Sequence, residues 1–344
     1  MPTETLTDTR RAGRNTTHVV VEPGGLAIHK RFDGLAADRQ RRFDNTLSWQ
    51  RVQDDHGLAL APEITRVERD TWGVWFAYLD SAQTLQAFID ARGEWSDLSA
   101  VLHDCGAAIA AAHGIPLPAG RPESASPGDL GGVDPLALFT ALTPEQYAEA
   151  SGAELECWTL FHHDEVLHDA LRRWVDAQVH DPVGGVIHGD LRPDQYLIDE
   201  QGVHIIDWEE WGPGAFTRDL AGVLGPMLFE ALLTGVAATG APGGLPGELH
   251  AALVARTHAA LVAFTPAVRA FLTGYAAGGG RRIDSRRLGQ DLGWALIERV
   301  LARAAMSHRL LAVDKAVAGI GRQALVSPES IVAALGLESV DEPR

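Results

Sequence analysis

The spacing of apolar and polar residues changes character near residue 80. Over residues 17–32 two β-rich runs flank Pro23-Gly24-Gly25, a turn sequence, so the segment reads as a hairpin. Just upstream, Gly13-Arg14-Asn15 reads as a tight turn following a weak first strand. Residues 35–55 are polar, with apolar positions at Phe43, Leu47 and Val52, and are expected to form a helix. Residues 58–66 and 71–78, the second containing Trp72, Val74, Trp75 and Phe76, read as two more strands. The first 80 residues are therefore expected to form a small antiparallel sheet with one main helix.

Beyond residue 80 the period becomes helical. Apolar residues recur every three to four positions over 85–91 and 98–113. Residues 114–135 are rich in Pro, Gly and Ser and read as a loop. Thr143-Pro144-Glu145-Gln146 has the form of a capping box with proline in the first turn, which starts a helix. One long helix is expected over 154–179, a Gly/Pro loop over 235–247, and helices over 248–276 and 288–318. Ser327-Pro328-Glu329 opens a last helix. One β-rich segment interrupts this region. It comprises a short strand ending in His188-Gly189-Asp190, a loop, and a hairpin of 196–198 with 203–206 that runs into Asp207. The pattern is α+β, and no internal repeat is present. At roughly 150 residues per domain, 344 residues suit two domains or one bilobal one. The division expected is 1–80 and 81–344.

Composition removes several classes of function. The formal net charge of −17 argues against a nucleic-acid partner, which needs a basic face. The surplus is uneven: −1 over residues 1–80 and −16 over the remainder, a balance that suits metal ions or a cationic acceptor. Cys105 and Cys157, the only cysteines, make neither a disulfide framework nor a zinc motif. The amino terminus lacks a signal-peptide pattern, and no run of about 18 apolar residues is free of charge or proline. A cytoplasmic protein without a membrane partner is expected. Among 29 basic residues only Lys30 and Lys315 are lysines, so each becomes a candidate for a task that needs a compact ammonium.

Asp190 and Asp207 emerge at the ends of neighbouring β segments, 17 residues apart in sequence. Carboxylates presented in this way serve as a general base or as Mg²⁺ ligands. The whole arrangement, with an amide side chain at Gln195 and Ile206-Asp207-Trp208-Glu209 after the hairpin, resembles the aminoglycoside phosphotransferase and choline kinase-like family. Its catalytic loop is of the type His-Gly-Asp-x-x-x-x-Asn, followed by an Ile-Asp-Trp/Phe-Glu metal motif. Gly212-Pro213-Gly214 and Asp219-Leu220-Ala221 fit the segment after it. Upstream, Gly13-Arg14-Asn15, the hairpin and Lys30 look like the nucleotide-covering loop and third-strand lysine. Ala61-Pro62-Glu63-Ile64 resembles the entry to the fourth strand, Trp75 to Leu79 the segment leading to the inter-lobe hinge, and residues 98–116 the helix that the family ends with Leu-His.

The resemblance implies a bilobal protein-kinase-like fold and an ATP- and Mg²⁺-dependent O-phosphotransferase. Lys30 would pair with the α/β-phosphates, Asp190 would orient or deprotonate the acceptor hydroxyl, and Asp207 would bind Mg²⁺. Gln195 stands where the family has its second metal ligand, an Asn. His188 reads as a brace for the loop, and Arg192 either neutralises phosphate or pairs with Asp194. Tyr78 falls in the segment leading to the hinge. Kinases pair the strand lysine with a helix glutamate, but residues 34–62 contain none. Asp44 is the best stand-in, with Asp38 behind it, while Glu209 and Asp219 read as scaffold residues. The leading acceptor is a small molecule such as an antibiotic or metabolite. A Ser/Thr of a ribosomally made precursor peptide is the alternative. A pseudokinase that binds nucleotide, peptide or a partner enzyme is the non-catalytic reading.

Overall fold

The β-branched and aromatic run after residue 15 pairs with itself across Pro23-Gly24, where Gly25 takes φ +129°, a conformation open to glycine. In the computed structural model, which describes residues 5–7, 15–117, 135–180, 184–237 and 246–338, the amino-terminal elements are β1 (Thr5–Thr7), β2 (Asn15–Glu22), β3 (Gly25–Phe32), α1 (Ala36–Asp55), β4 (Ile64–Glu68) and β5 (Gly73–Ala77). The five strands form one antiparallel sheet in the order β1-β2-β3-β5-β4. Phe43 and Leu47 of α1 pack on Phe32 and Val74 of the sheet, with Phe43 edge-on to Phe32 at 5.6 Å. Burying each such side chain stabilises the lobe by about 1.5–3 kcal/mol. Lys30 lies on β3 opposite Val74, two residues before Phe32.

The rest of the chain is mostly helical: β6 (Gln83–Thr84), α2 (Leu85–Ala91), α3 (Ser99–His113), α4 (Pro135–Thr140), α5 (Pro144–Glu149), α6 (Gly152–His162), α7 (Glu165–His180), β7 (Gly184–Ile187), β8 (Tyr196–Asp199), β9 (Gly202–Ile205), β10 (Gly212–Ala215), α8 (Phe216–Ala237), α9 (Pro246–Ala277), α10 (Ser285–Ala305), α11 (Ala312–Val326) and α12 (Glu329–Leu335). The hairpin β8-β9 joins β6, and β7 pairs with β10 in a separate two-stranded sheet. The core centres on α3 and α9. A Cβ on Gly106 would lie 2.0 Å from the Phe271 carbonyl oxygen, and one on Gly274 would lie 1.8 Å from that of His103. The two helices therefore touch backbone to backbone.

Several expectations need correction. The single helix expected over 154–179 is two, because Asp164 caps the second by accepting from the Leu167 amide at 3.0 Å and is itself held by Arg322 of α11. The helix expected over 288–318 is also two. Here Asp314 accepts from the Leu311 amide at 3.1 Å and starts α11 afresh. Residues 58–63 are not strand. Gly13-Arg14, and most of the loops expected at 114–135 and 235–247, lie outside the described residues. Cys105 and Cys157 are buried and free, and burial pushes both thiols above their ordinary pKa, Cys157 to about 12. One stretch, Ala251–Ala277, is long and apolar enough to cross a membrane by length and composition alone. Here one side of it, with Phe264, Val268, Phe271 and Tyr275, is buried in the core, while Arg269 is exposed.

Candidate active site

Two loops meet between the lobes. The first follows β7. Its backbone is held from beneath by Asp219 of α8, whose carboxylate accepts from the His188 amide at 2.6 Å and the Gly189 amide at 2.9 Å. Asp219 also lies 3.1 Å from His113 Nε2, and His113 Nδ1 lies 2.9 Å from the Tyr275 hydroxyl. Burial would push this carboxyl up, but the hydrogen bond and charge of His113 hold it below the usual range. Gly189 takes φ +88°, and a Cβ there would lie 2.5 Å from the Glu210 carbonyl oxygen, so the turn into Asp190 requires glycine. His188 is fully buried. Its Nδ1 accepts from the Asp190 amide at 3.4 Å, and its Nε2 therefore donates to the Ile206 carbonyl at 2.9 Å. The imidazole braces the two loops and does not face the cleft.

Further along, Gln195 is buried, and its Oε1 accepts from the Arg192 amide at 2.8 Å. The Arg192 guanidinium bonds Asp190 Oδ2 at 2.7 Å and Asp194 Oδ1 at 3.3 Å. Of the two roles open to Arg192, the structure shows the pairing with Asp194 and adds one with Asp190. Burial would lower the pKa of this guanidinium, but the two carboxylates outweigh it and hold it above the ordinary value.

The second loop follows β9 and places Asp207 in the left-handed region, φ +68°, unusual for a residue other than glycine. Its carboxylate is 40% exposed and gives only Oδ1 to Lys30 Nζ, at 2.9 Å. The lysine's other partner is Glu209 Oε2, at 2.5 Å. Burial alone would lower the Lys30 pKa, but Asp207 and Glu209 outweigh it and hold it above the ordinary lysine value. The same ammonium holds the Asp207 carboxyl below the usual range against the effect of burial.

Glu209 thus occupies the position expected of a helix acid. Asp44 does not reach the cleft: it is 53% exposed, accepts from Gln40 on its own helix at 2.5 Å and lies 3.9 Å from Arg69. What α1 supplies instead is a cation. Arg42, fully buried, donates to Asp38 at 2.9 Å, to the Asp33 carbonyl at 2.5 Å and to Asn15 Oδ1 at 2.5 Å, and sits 3.5 Å from Glu209 Oε1. Asn15 in turn donates to Glu209 Oε2 at 2.7 Å. The helix is therefore linked to Lys30 through an arginine and the carboxylate of the opposite lobe, with Asp38 at the far end. Arg41 to Glu210 at 2.7 Å, Asn45 to the Glu209 carbonyl at 2.9 Å, and Trp49 stacked on Trp208 at 3.5 Å fix α1 on the same turn. Glu209, expected to be a scaffold residue, is thus the lysine's second acid, and its place two residues after Asp207 is the signal in the sequence. Arg42, one of 27 arginines, carried none.

Lys30, Asp190, Arg192, Gln195 and Asp207 line one cleft of about 930 Å³, which also takes in Ile28, Phe76, Tyr78 and Leu79. For a magnesium ion the oxygen donors fit. Among the described residues Asp207 Oδ2 has no hydrogen bond, and Gln195, whose Oε1 already accepts from the Arg192 amide, lines the same cleft. No cluster of three or more His, Cys, Asp or Glu suited to enclosing a metal occurs among the described residues. Mg²⁺ needs few protein ligands, because it keeps waters and takes phosphate oxygens from its substrate.

A five-stranded lobe carrying a buried lysine, set over a His-Gly-Asp loop and an Asp-Trp-Glu turn, is the plan of a kinase-like phosphotransferase of the aminoglycoside phosphotransferase and choline kinase type. The chain belongs to the phosphotransferase enzyme family, whose model matches residues 14–253. Among solved structures it is similar in fold to a glucosamine kinase in complex with glucosamine, ADP and inorganic phosphate. That match has a TM-score of 0.51 and 15% identity over 97% of this chain and 83% of the other. It is likewise similar to the choline kinase LicA from Streptococcus pneumoniae, with a TM-score of 0.50 and 13% identity over 95% and 94%. No curated protein matches the chain significantly.

Proposed function

We propose that this chain transfers the γ-phosphoryl group of ATP to a hydroxyl of a small molecule. One observation carries the reading: Lys30, Asp207 and Asp190, from two lobes and three separate segments, face a single cleft. Residues 1–80 would cover the nucleotide, and 81–344 would supply the catalytic loop and the acceptor wall. The base would lie between the lobes, near Tyr78 and Leu79.

Phosphoryl transfer depends on positioning and charge neutralisation more than on covalent help from the protein. Lys30 is held as an ammonium and would bind phosphate oxygens as a point charge. Asp190 would accept a hydrogen bond from the acceptor hydroxyl and take its proton as the new O–P bond forms and the bond to the β–γ bridging oxygen breaks. Arg192 restrains the Asp190 carboxylate through Oδ2, which leaves Oδ1 for the hydroxyl. Asp207, with the Gln195 carbonyl, would hold Mg²⁺, which when bound neutralises charge on the phosphates. Lys30 has two acid partners without a helix glutamate, and this favours a catalytic chain over a pseudokinase. The test is Mg²⁺-dependent release of ADP in the presence of mixed hydroxyl acceptors, which Asp190→Ala should slow by about 10²–10⁴-fold.

A further inference from the structure

The wall of the cleft beyond Asp190 is formed by α10, through Glu298, Arg299 and Ala302. The same cleft takes in Lys30 and Tyr78, near which the nucleotide is placed above. Its charges are not distributed as the acidic composition suggests. Asp190 and Asp194, the carboxylates of the neighbouring loop, are both already bonded to Arg192, at 2.7 and 3.3 Å. Arg299 stands among these groups, with Arg192, Glu298, Asp194 and Asp190 as its charged neighbours. Yet no hydrogen bond or ion pair joins it to any described residue.

We propose that Arg299 binds an anionic group on the phosphate acceptor, so that the acceptor is a hydroxylated carboxylate or phosphate compound and not a cation. The inference rests on the phosphotransferase reading of the same cleft and narrows it. A partly buried guanidinium without a protein partner is free to take a bidentate carboxylate or phosphate, the groups that match its planar fork. Burial and the positive Arg192 both push the Arg299 pKa down, and the charge of a ligand anion would oppose that shift. Glu298, the adjacent acid, is pushed up to about 7 by burial and so gives Arg299 only a partial counter-charge near neutrality. A cationic acceptor would meet Arg192 and Arg299, whose charges balance those of Asp190 and Asp194 in this part of the cleft. The net −16 of residues 81–344 is therefore not the charge that the acceptor meets.

Three hexoses of one frame and different charge provide the test: glucuronate, glucose and glucosamine. Phosphate transfer from ATP is measured for the wild type, Arg299→Met and Arg299→Glu. The wild type should favour glucuronate over glucosamine in kcat/KM by roughly ten- to a hundredfold, the range of a charge-assisted hydrogen bond. Arg299→Met should remove the preference, and Arg299→Glu should invert it. Serine peptides flanked by Glu or by Lys, run in parallel, distinguish a free hydroxy acid from an acidic peptide segment. The same ligands are titrated calorimetrically into protein saturated with a non-hydrolysable ATP analogue, which needs no turnover. Glucuronate binding lost in Arg299→Met supports the assignment. A wild-type preference for glucosamine, or glucuronate binding indifferent to Arg299, overturns it. Loss of affinity for the ATP analogue in both variants would place Arg299 on the nucleotide phosphates and also overturn it. Failure of the parent reading looks different: ADP release that is absent, or that is untouched by Asp190→Ala.

Discussion

Replacing Arg42 by Met tests whether α1 is tied to Lys30 through an arginine. Its guanidinium has no exposed surface and reaches four groups: Asp38 at 2.9 Å, Asn15 and the Asp33 carbonyl at 2.5 Å, and Glu209 at 3.5 Å. Methionine fills much of the volume but leaves Glu209, itself largely buried, with Lys30 and Asn15 alone. Removing one partner of such a buried pair costs about 3–5 kcal/mol of stability. Asp44→Ala removes the acid that sequence spacing favoured. That carboxylate is exposed and holds only a contact along its own helix and a distant Arg69, which predicts a loss of about 0.5 kcal/mol or less. The two variants should therefore differ by roughly 3 kcal/mol. Urea unfolding followed by tryptophan fluorescence, at matched m-values, measures the difference. Binding of an ATP analogue to the folded variants shows whether Lys30 has lost its setting, with Arg42→Met weakened and Asp44→Ala unchanged. Equal stability losses, an Arg42→Met loss under about 1 kcal/mol, or weaker nucleotide binding from Asp44→Ala would refute the bridge.

Three further outcomes are expected. Lys30→Met should lower nucleotide affinity or turnover by about a hundredfold, whereas Lys315→Met, which breaks only an exposed pair with Glu156 at 3.0 Å, should not; equal effects would sever the lysine from the site. Gln195→Ala frees the Arg192 amide and should cost about 1–2 kcal/mol together with a shifted Mg²⁺ titration, while Gln195→Asn, too short to keep that bond unchanged, should fall between; superimposable titrations for all three would remove Gln195 from the metal site. Glu298 keeps its proton in the folded chain up to about pH 7, whereas the unfolded chain releases it near 4.5, so this group makes stability fall as pH rises from about 4.5 to 7. Over that window the loss is at most roughly 3 kcal/mol, and Glu298→Gln should flatten it in unfolding measured against pH; identical wild-type and variant profiles would contradict the raised pKa.

Local signals and their limits explain what the sequence made legible. The hairpin around Pro23-Gly24, the helix over 35–55 and the two carboxylate loops were readable because turn residues and short-range periodicity define them. The split of 154–179 was not, because Asp164 is held in place by Arg322, 158 residues away. The usual kinase pairing leads to an acid on α1 as the lysine's partner. The carboxylate comes instead from the Asp207 turn, held there by Arg42 and Asn15 as well as by the lysine. Arg299 gave no signal in a chain that uses arginine almost everywhere. Its significance lies in the bonds that its neighbours have already made.

The most direct test of the account is the turnover of ATP by the wild type and by Asp190→Ala, each with Mg²⁺ and a mixture of hydroxyl acceptors. ADP and phosphorylated product are measured by mass, and ATP-analogue affinity is measured alongside. A phosphotransferase built on this site should transfer phosphate in the wild type and lose about 10²–10⁴-fold in rate in the variant, with analogue affinity retained. Unchanged turnover in Asp190→Ala, or no turnover by a wild type that binds the analogue, would contradict it.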